Sequence, residues 1–344
     1  MLRNTILLAA SLASLTLASC GGSASRDSIR AVGSSTVYPF AKAVSEQLVK
    51  TDPNVSAPLI ESTGTGAGMK LFCAGLGSDT PDIVNASRRM KASEFKTCQS
   101  AGVGDILEIQ VGLDGIAIAT AKGGIDMNLT PALLYKALAA KPYGKEQTAK
   151  NWSDIDPSFP DEPILVYGPP STSGTRDALE ELILMAGCDA DPAMAALKKD
   201  NPKEHDAVCT DVRADGSYVD QGEQDNLIVQ KIENNPRAVG IFGYSYLEEN
   251  ADRLAALPIN GVEPTYENIS TFAYPGARPL YIYVKKAHVD AIPSLREFLN
   301  QWTEMWGRGG PLAKLGLVAS PDDVMAKNAA TISDMTALDS SQLQ

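Results

Sequence analysis

Histidine is nearly missing from this chain. His205 and His288 are the only two in 344 residues. No Cys-x-x-Cys pair occurs either, so a zinc site, which draws on clustered Cys and His, is disfavoured. No Gly-x-Ser-x-Gly surrounds Ser171 or Ser173, and a His-assisted serine nucleophile would have to recruit one of those two imidazoles. Basic runs are missing too: nothing exceeds pairs such as Arg88-Arg89, Lys198-Lys199 and Lys285-Lys286. With 30 Lys and Arg against 42 Asp and Glu, the formal net charge is −12. That balance argues against nucleic acid as a partner. Any anion this chain binds must be held by local groups, against an unfavourable overall field. The nucleotide loops fail as well. Gly64-Thr65-Gly66-Ala67-Gly68-Met69 has Met where a dinucleotide loop has its third Gly, and Lys70 follows Met69 rather than the Gly of a Walker loop. No internal repeat and no long low-complexity tract is present.

What is present begins with an apolar stretch. Arg3 is the only charge before residue 20, and "TILLAASLASLTLASC" (5–20) follows it. This pattern reads as an export signal and is too short for a membrane span. Leu17-Ala18-Ser19-Cys20 resembles the bacterial lipoprotein cleavage box. The resemblance implies that residues 1–19 leave as a signal peptide and that Cys20 carries the lipid. An ordinary secretory signal cut nearby is the alternative, and it also exports the protein. Residues 20–28, ending in "GGSASRDS", then form a short flexible tether. Losing Arg3 moves the net charge from −12 to −13. Four of the five cysteines remain after Cys20: Cys73, Cys98, Cys188 and Cys209. An even number in an exported chain points to disulfides, with three pairings open. The local pairs Cys73–Cys98 and Cys188–Cys209 are the expected ones, each adding roughly 3 kcal/mol.

Beyond residue 28 the chain alternates between strand and helix patterns. Strands are expected at 28–33, 56–62 and 81–87, with helices at 38–50 and 68–76 between them. This βαβαβ order predicts a parallel, doubly wound sheet. "DILEIQVGLDGIAIAT" (105–120) reads as a long strand broken by Gly112 and Gly115, and it could bridge two lobes. "ARPLYIYVKKA" (277–287) could cross back. Two such crossings make a hinge. A second lobe would hold a helix at 131–140, a strand at 163–168, the helix after Thr175 and the run 238–250. A C-terminal helix is expected over 291–307. The domain expectation is a first lobe of 29–111 with 283–344, and a second lobe of 112–282.

Three turns share one chemistry. "GSSTVYP" (33–39), "ESTGTGAGMK" (61–70) and "GPPSTSGTRDA" (168–178) each follow a strand, precede a helix, and are rich in Ser, Thr and Gly. The first N–H groups of a helix have no intrahelical acceptor, and the dipole there favours negative charge. Gly admits close approach, and hydroxyls add donors without net charge. In parallel α/β sheets such turns lie at the carboxyl ends of strands, where ligands bind. One such turn is adequately explained as an N-cap. Three in one chain suggest a wrapped tetrahedral oxyanion.

Five motifs in order complete the pattern: "AVGSSTVYPFAKAV", "ESTGTGAGMKLFCAG", "DIVNASRRM", "GPPSTSGTRDA" and "AVGIFGYSYL". Over about residues 28–318, together with the lipoprotein start, the chain resembles the substrate-binding protein of the bacterial high-affinity phosphate ABC importer. The resemblance implies a type II periplasmic-binding-protein fold, two doubly wound α/β lobes joined by a two-segment hinge. It implies a monomer in the periplasm or cell envelope, lipid-anchored, which binds inorganic phosphate and delivers it to membrane permease subunits. It implies no cofactor, no metal and no catalysis. Carried over, the first turn supplies Ser35, Thr36 and the backbone of Val37. The second supplies Thr65 and Gly66, with Ser62 beside them. The third supplies Ser173, Gly174 and Thr175, and Ser87 ends the third strand.

Two departures from the family pattern stand out. Many members have Ser-Asp where this chain has Ser87-Arg88, and their Asp accepts the proton of monohydrogen phosphate. They also carry an Arg four residues before the Ser of the third turn, where this chain has Pro169. Arg88 is therefore the expected cation of the site. Arg176 is a second candidate, or else a partner of Asp177 or Glu180 on the helix surface. The proton acceptor is left unassigned, with Asp220, Glu223 and Asp225 of "VDQGEQDNLIVQ" as candidates. Rival readings are a binding protein for sulfate or another tetrahedral oxyanion, a phosphatase, and a surface adhesion protein.

Overall fold

The computed structural model describes residues 28–222 and 225–343. The signal segment 1–19, Cys20, the tether as far as residue 27, and Glu223 lie outside the described residues. The first half of the fold is the expected βαβαβ unit. Strand β1 (Arg30–Gly33) is followed by helix α1 (Tyr38–Thr51), β2 (Leu59–Ser62), α2 (Thr65–Phe72), β3 (Ile83–Ala86) and α3 (Ala92–Ser100). β1 pairs in parallel with both β2 and β3, so three strands deliver their carboxyl ends to one edge. At that edge Gly33 adopts φ 130°, and an added Cβ would lie 2.1 Å from the Asn85 carbonyl oxygen. Only glycine lets β1 turn there. α2 starts three residues earlier than its apolar pattern suggests, because Thr65-Gly66-Ala67 already form its first turn.

The strand β4 (Ile106–Ala121) does not break at Gly112 or Gly115. It runs unbroken for 16 residues, with a register shift between Gln110 and Gly112 where Val111 forms a bulge. Its first part pairs antiparallel with β9 (Ala277–Lys285), and its last part with β7 (Val239–Gly243) and β8 (Leu254–Ala256). With β5 (Val166–Gly168) and β6 (Tyr218–Asp220) the strand order is β2-β1-β3-β9-β4-β7-β5-β6, with β8 alongside β4. The parallel expectation therefore holds within each half. The two crossing strands are antiparallel to their neighbours, and the sheet is mixed.

Alternation in β9 shows why the first half is covered on both faces. Ile282 and Val284 point into a core with Phe40, Val44, Phe298 and Trp302. Tyr281 and Tyr283 point the other way, onto Met69, Phe72 and Cys98. The second half has its own core, built on Ile118, Tyr135, Trp152, Val239, Ile241 and Phe242. Both expected disulfides form, Cys73–Cys98 tying α2 to α3 and Cys188–Cys209 tying two helices of the second half. No helix among the described residues is long and apolar enough to cross a membrane.

Candidate functional site

The first and third Ser/Thr/Gly turns meet face to face. An added Cβ on Gly174 would sit 2.4 Å from the Thr36 Cα, which places the two backbones in direct contact. The Thr36 hydroxyl donates to the Gly174 carbonyl at 3.2 Å. The Ser35 hydroxyl donates across the same gap to the Asp177 carboxylate. The second turn folds against the first, its Thr63 and Gly64 N–H groups donating to the Gly33 carbonyl at 2.8 and 2.9 Å. Together they bound an open cleft of about 680 Å³, lined by Ser35, Tyr38, Ser62, Gly64, Thr172, Gly174 and Asp177 among others.

Capping accounts for only one of the three turns. α1 has Val37 as its N-cap and α2 has Gly64, and neither receives a side-chain cap. The leading N–H groups of α2 therefore keep the donor character that suits an anion, whereas in α1 the Val37 N–H meets the Ser34 hydroxyl at 3.4 Å, the Tyr38 N–H donates to the Ser34 carbonyl at 3.1 Å, and Pro39 has no N–H. In the third turn Ser173 does cap, accepting from the Thr175 N–H at 3.2 Å.

The expected site residues fall into four groups. Ser35, Ser62 and Gly174 line the cleft itself. Thr36, Val37, Ser173 and Thr175 belong to the turns behind it, and Thr36 has already committed its one hydroxyl proton to Gly174. Thr65 and Ser87 bind each other, their hydroxyl oxygens 3.1 Å apart, with the Ser87 N–H also donating to the Thr65 hydroxyl at 3.2 Å. Gly66 and Arg88 line a neighbouring cavity of about 500 Å³, with Lys70, Lys91 and Glu94. Arg88 grips Glu94 with two hydrogen bonds, at 3.0 and 2.8 Å, and donates once to the Arg89 carbonyl. The Glu94 bond holds the guanidinium pKa above its usual range, against the cost of burial, and Glu181 of the second half adds to it.

Arg176 is not on a helix surface. It is 8% exposed, reaches Glu180 at 2.7 Å, and lies over the Tyr218 ring at 4.9 Å. Of the acceptor candidates, Asp225 is buried and spent on the Gly243 N–H at 3.0 Å, and Asp220 is exposed at the end of β6. Neither lines the cleft.

Two groups that organise the site escaped the sequence reading. Arg278, at the start of β9, is 4% exposed and bonds Asp114 of β4 at 3.0 Å, Glu181, and the Thr36 hydroxyl at 2.9 Å. Its signal was a lone charge opening the apolar run "RPLYIYV". Asp177 was visible only as a neighbour for Arg176. Burial pushes the Asp114 and Glu180 carboxyls above the usual range, while Arg278 and Arg176 respectively oppose that rise.

Two α/β halves joined by crossing strands, with donor-rich turns meeting between them, define the two-lobed architecture of a periplasmic-binding-protein fold. The chain belongs to the PBP superfamily, whose domain model matches residues 18–303. Among its relatives, Protein SphX of Synechococcus elongatus is 34% identical over 83% of this chain and 76% of its own. The phosphate-binding protein PstS of Staphylococcus haemolyticus is 30% identical over 90% of both chains. Among solved structures, a possible phosphate-binding protein from Planctomyces limnophilus superposes with a TM-score of 0.72 at 29% identity, covering 89% of this chain and 98% of that one.

Proposed function

We propose that this chain captures inorganic phosphate in the cleft between its halves and presents it to the membrane permease of an ABC importer. The observation that carries the reading is the contact of the first and third turns across the cleft, with the uncapped start of α2 beside it. Two relatives at 30% and 31% identity, both named phosphate-binding protein PstS, support phosphate as the ligand. In this reading the donors are the Ser35 hydroxyl, turned from Asp177 to the ligand, the N–H groups of Thr36 and Val37, the latter turned from the Ser34 hydroxyl, then Ser62, Thr65, Gly66, Ser87, and the turn Ser173-Gly174-Thr175. Arg88 supplies a cation through the two of its five N–H groups that Glu94 and Arg89 leave. Charge-assisted hydrogen bonds contribute about 1.5–3 kcal/mol each, so a handful outweighs the cost of closure. The lobes are 29–111 with 283–344, and 112–282, and β4 and β9 are the hinge. The protein acts outside the cytoplasm, as a monomer held by a lipid on Cys20.

The cleft performs no chemistry in this reading. A serine nucleophile needs a base, and both histidines are engaged elsewhere: His205 with Asp189 at 2.7 Å and His288 with Asp82 at 2.6 Å.

Isothermal titration of the mature protein, stripped of bound anion, tests the binding. Tight one-to-one phosphate binding is expected, and no heat with phosphate would overturn the proposal. Arg88→Ala should weaken phosphate binding about 10- to 100-fold, the loss of one charge-assisted bond, while Arg89→Ala should leave it nearly unchanged, since Arg89 is taken up by Glu108. Equal affinities in the two variants would remove Arg88 from the site.

A further inference from the structure

We propose that Asp177 is the acceptor of the phosphate proton, and so the residue that lets this cleft reject sulfate. The inference rests on the phosphate reading above and assigns the acceptor that reading lacks.

Three observations place Asp177 in that role. It lines the same cleft as Ser35, Ser62 and Gly174. Its Oδ2 accepts the Ser35 hydroxyl, which comes from the opposite half. The carboxylate therefore already faces an O–H donor where the first and third turns meet. A bound P–OH approaching from the cleft offers the same donor type to the same atom. Finally, no cation among the described residues pairs with it. Arg176, its chain neighbour, is turned onto Glu180 and Tyr218. Arg278 is committed to Asp114, Glu181 and Thr36. Its lone pairs thus remain available to a ligand proton.

The surrounding charge favours the same assignment. Asp114, Asp177, Glu180 and Glu181 face Arg176 and Arg278 here, four carboxylates against two guanidiniums, a formal balance of −2. A dianion brought against Asp177 meets a repulsion that a shared proton relieves. An ionised carboxylate accepts and cannot donate. Monohydrogen phosphate carries a hydroxyl to offer it. Sulfate carries none, and would leave two acceptors facing each other with water excluded. A site built around a ligand hydroxyl rejects the analogue lacking it by about 10⁴–10⁵-fold.

The position explains how the chain dispenses with an acid after Ser87. Asp177 lies on the helix that the third turn opens, Gly174–Ala178. Ser87-Arg88 can then provide donors only.

The test is titration of the wild type and of Asp177→Asn with phosphate, sulfate and monofluorophosphate, a tetrahedral dianion without a proton. The wild type should prefer phosphate over both by about 10⁴-fold. Asp177→Asn should bind phosphate more weakly and reduce that preference by about 100-fold or more, because its amide can donate to a bare oxygen. Asp177→Ser serves if the amide variant does not fold. Unchanged preference in a folded variant would sink the assignment. So would tighter phosphate binding, since Asp177 would then be competing with the ligand for Ser35. So would wild-type protein that binds monofluorophosphate as well as phosphate, because no proton would then be read. Wild-type protein that ignores phosphate altogether would instead overturn the functional proposal itself.

Discussion

Arg278→Met should destabilise the protein by about 3–5 kcal/mol and weaken phosphate binding as well. Arg278 is buried and faces Asp114 in the β4–β9 register, with Nε to Oδ2 at 3.0 Å. Removing one partner of a buried pair strands the other charge without compensation. The binding loss follows from the other end of the guanidinium. Nη2 holds the Thr36 hydroxyl at 2.9 Å and lies 3.5 Å from the Gly174 carbonyl, so one side chain ties the hinge strands to both turns. Lysine should not rescue it, because an ammonium lacks the planar fork that reaches three partners.

The stability loss has a pH signature. Burial already raises the Asp114 carboxyl, and Arg278 opposes that rise. Without Arg278 the folded value climbs further. A carboxyl whose folded pKa exceeds its unfolded value binds more protons in the folded state. Stability then falls as pH rises from the unfolded value, about 3.9, towards the folded one. The deficit of Arg278→Met should be smallest near or below that lower value and grow above it. Urea melts at acid and neutral pH measure this. A deficit independent of pH would mean that Asp114 is not the stranded charge.

Gly174→Ala should show the opposite signature, a large loss of affinity with little loss of stability. The new Cβ would fall 2.4 Å from the Thr36 Cα and 2.8 Å from its nitrogen. Both are backbone atoms and cannot swing aside, so the first and third turns must separate. One or two charge-assisted bonds to the ligand should go with them, about 10- to 1,000-fold in affinity. Neither core is touched, and alanine is a better helix former than glycine at the start of a helix. Titration paired with a thermal melt reads both effects. Wild-type affinity in this variant would mean that the halves bind without this contact.

Much of the fold was legible because local pattern decides it. The apolar faces of α1 and of the C-terminal helix Pro293–Met305 repeat at helical spacing, and β1 and β3 are short, largely buried runs. β4 was misread as broken because glycine weakens a strand locally, whereas its pairing with β9, β7 and β8 holds it together along its length. The three turns of the site were legible for a similar reason. Ser, Thr and Gly between a strand and a helix leave a visible signature. Arg176 was not, because four-residue spacing to Glu180 looks the same on an exposed helix face as in the buried niche beside Tyr218.

The sequence alone determined the order of elements, the positions of the donor-rich turns and the local disulfide pairs, all of which depend on residues near one another in the chain. Tertiary structure alone decided which turn meets which. Ser35 finds Asp177 from 142 residues away, and Thr36 finds Arg278 from 242. Charges on separate elements carry no periodicity that announces their partner. Only closure of two halves around crossing strands brings Asp177, the Ser35 hydroxyl and the uncapped start of α2 to one cleft, with the Arg278 guanidinium holding Thr36 behind it.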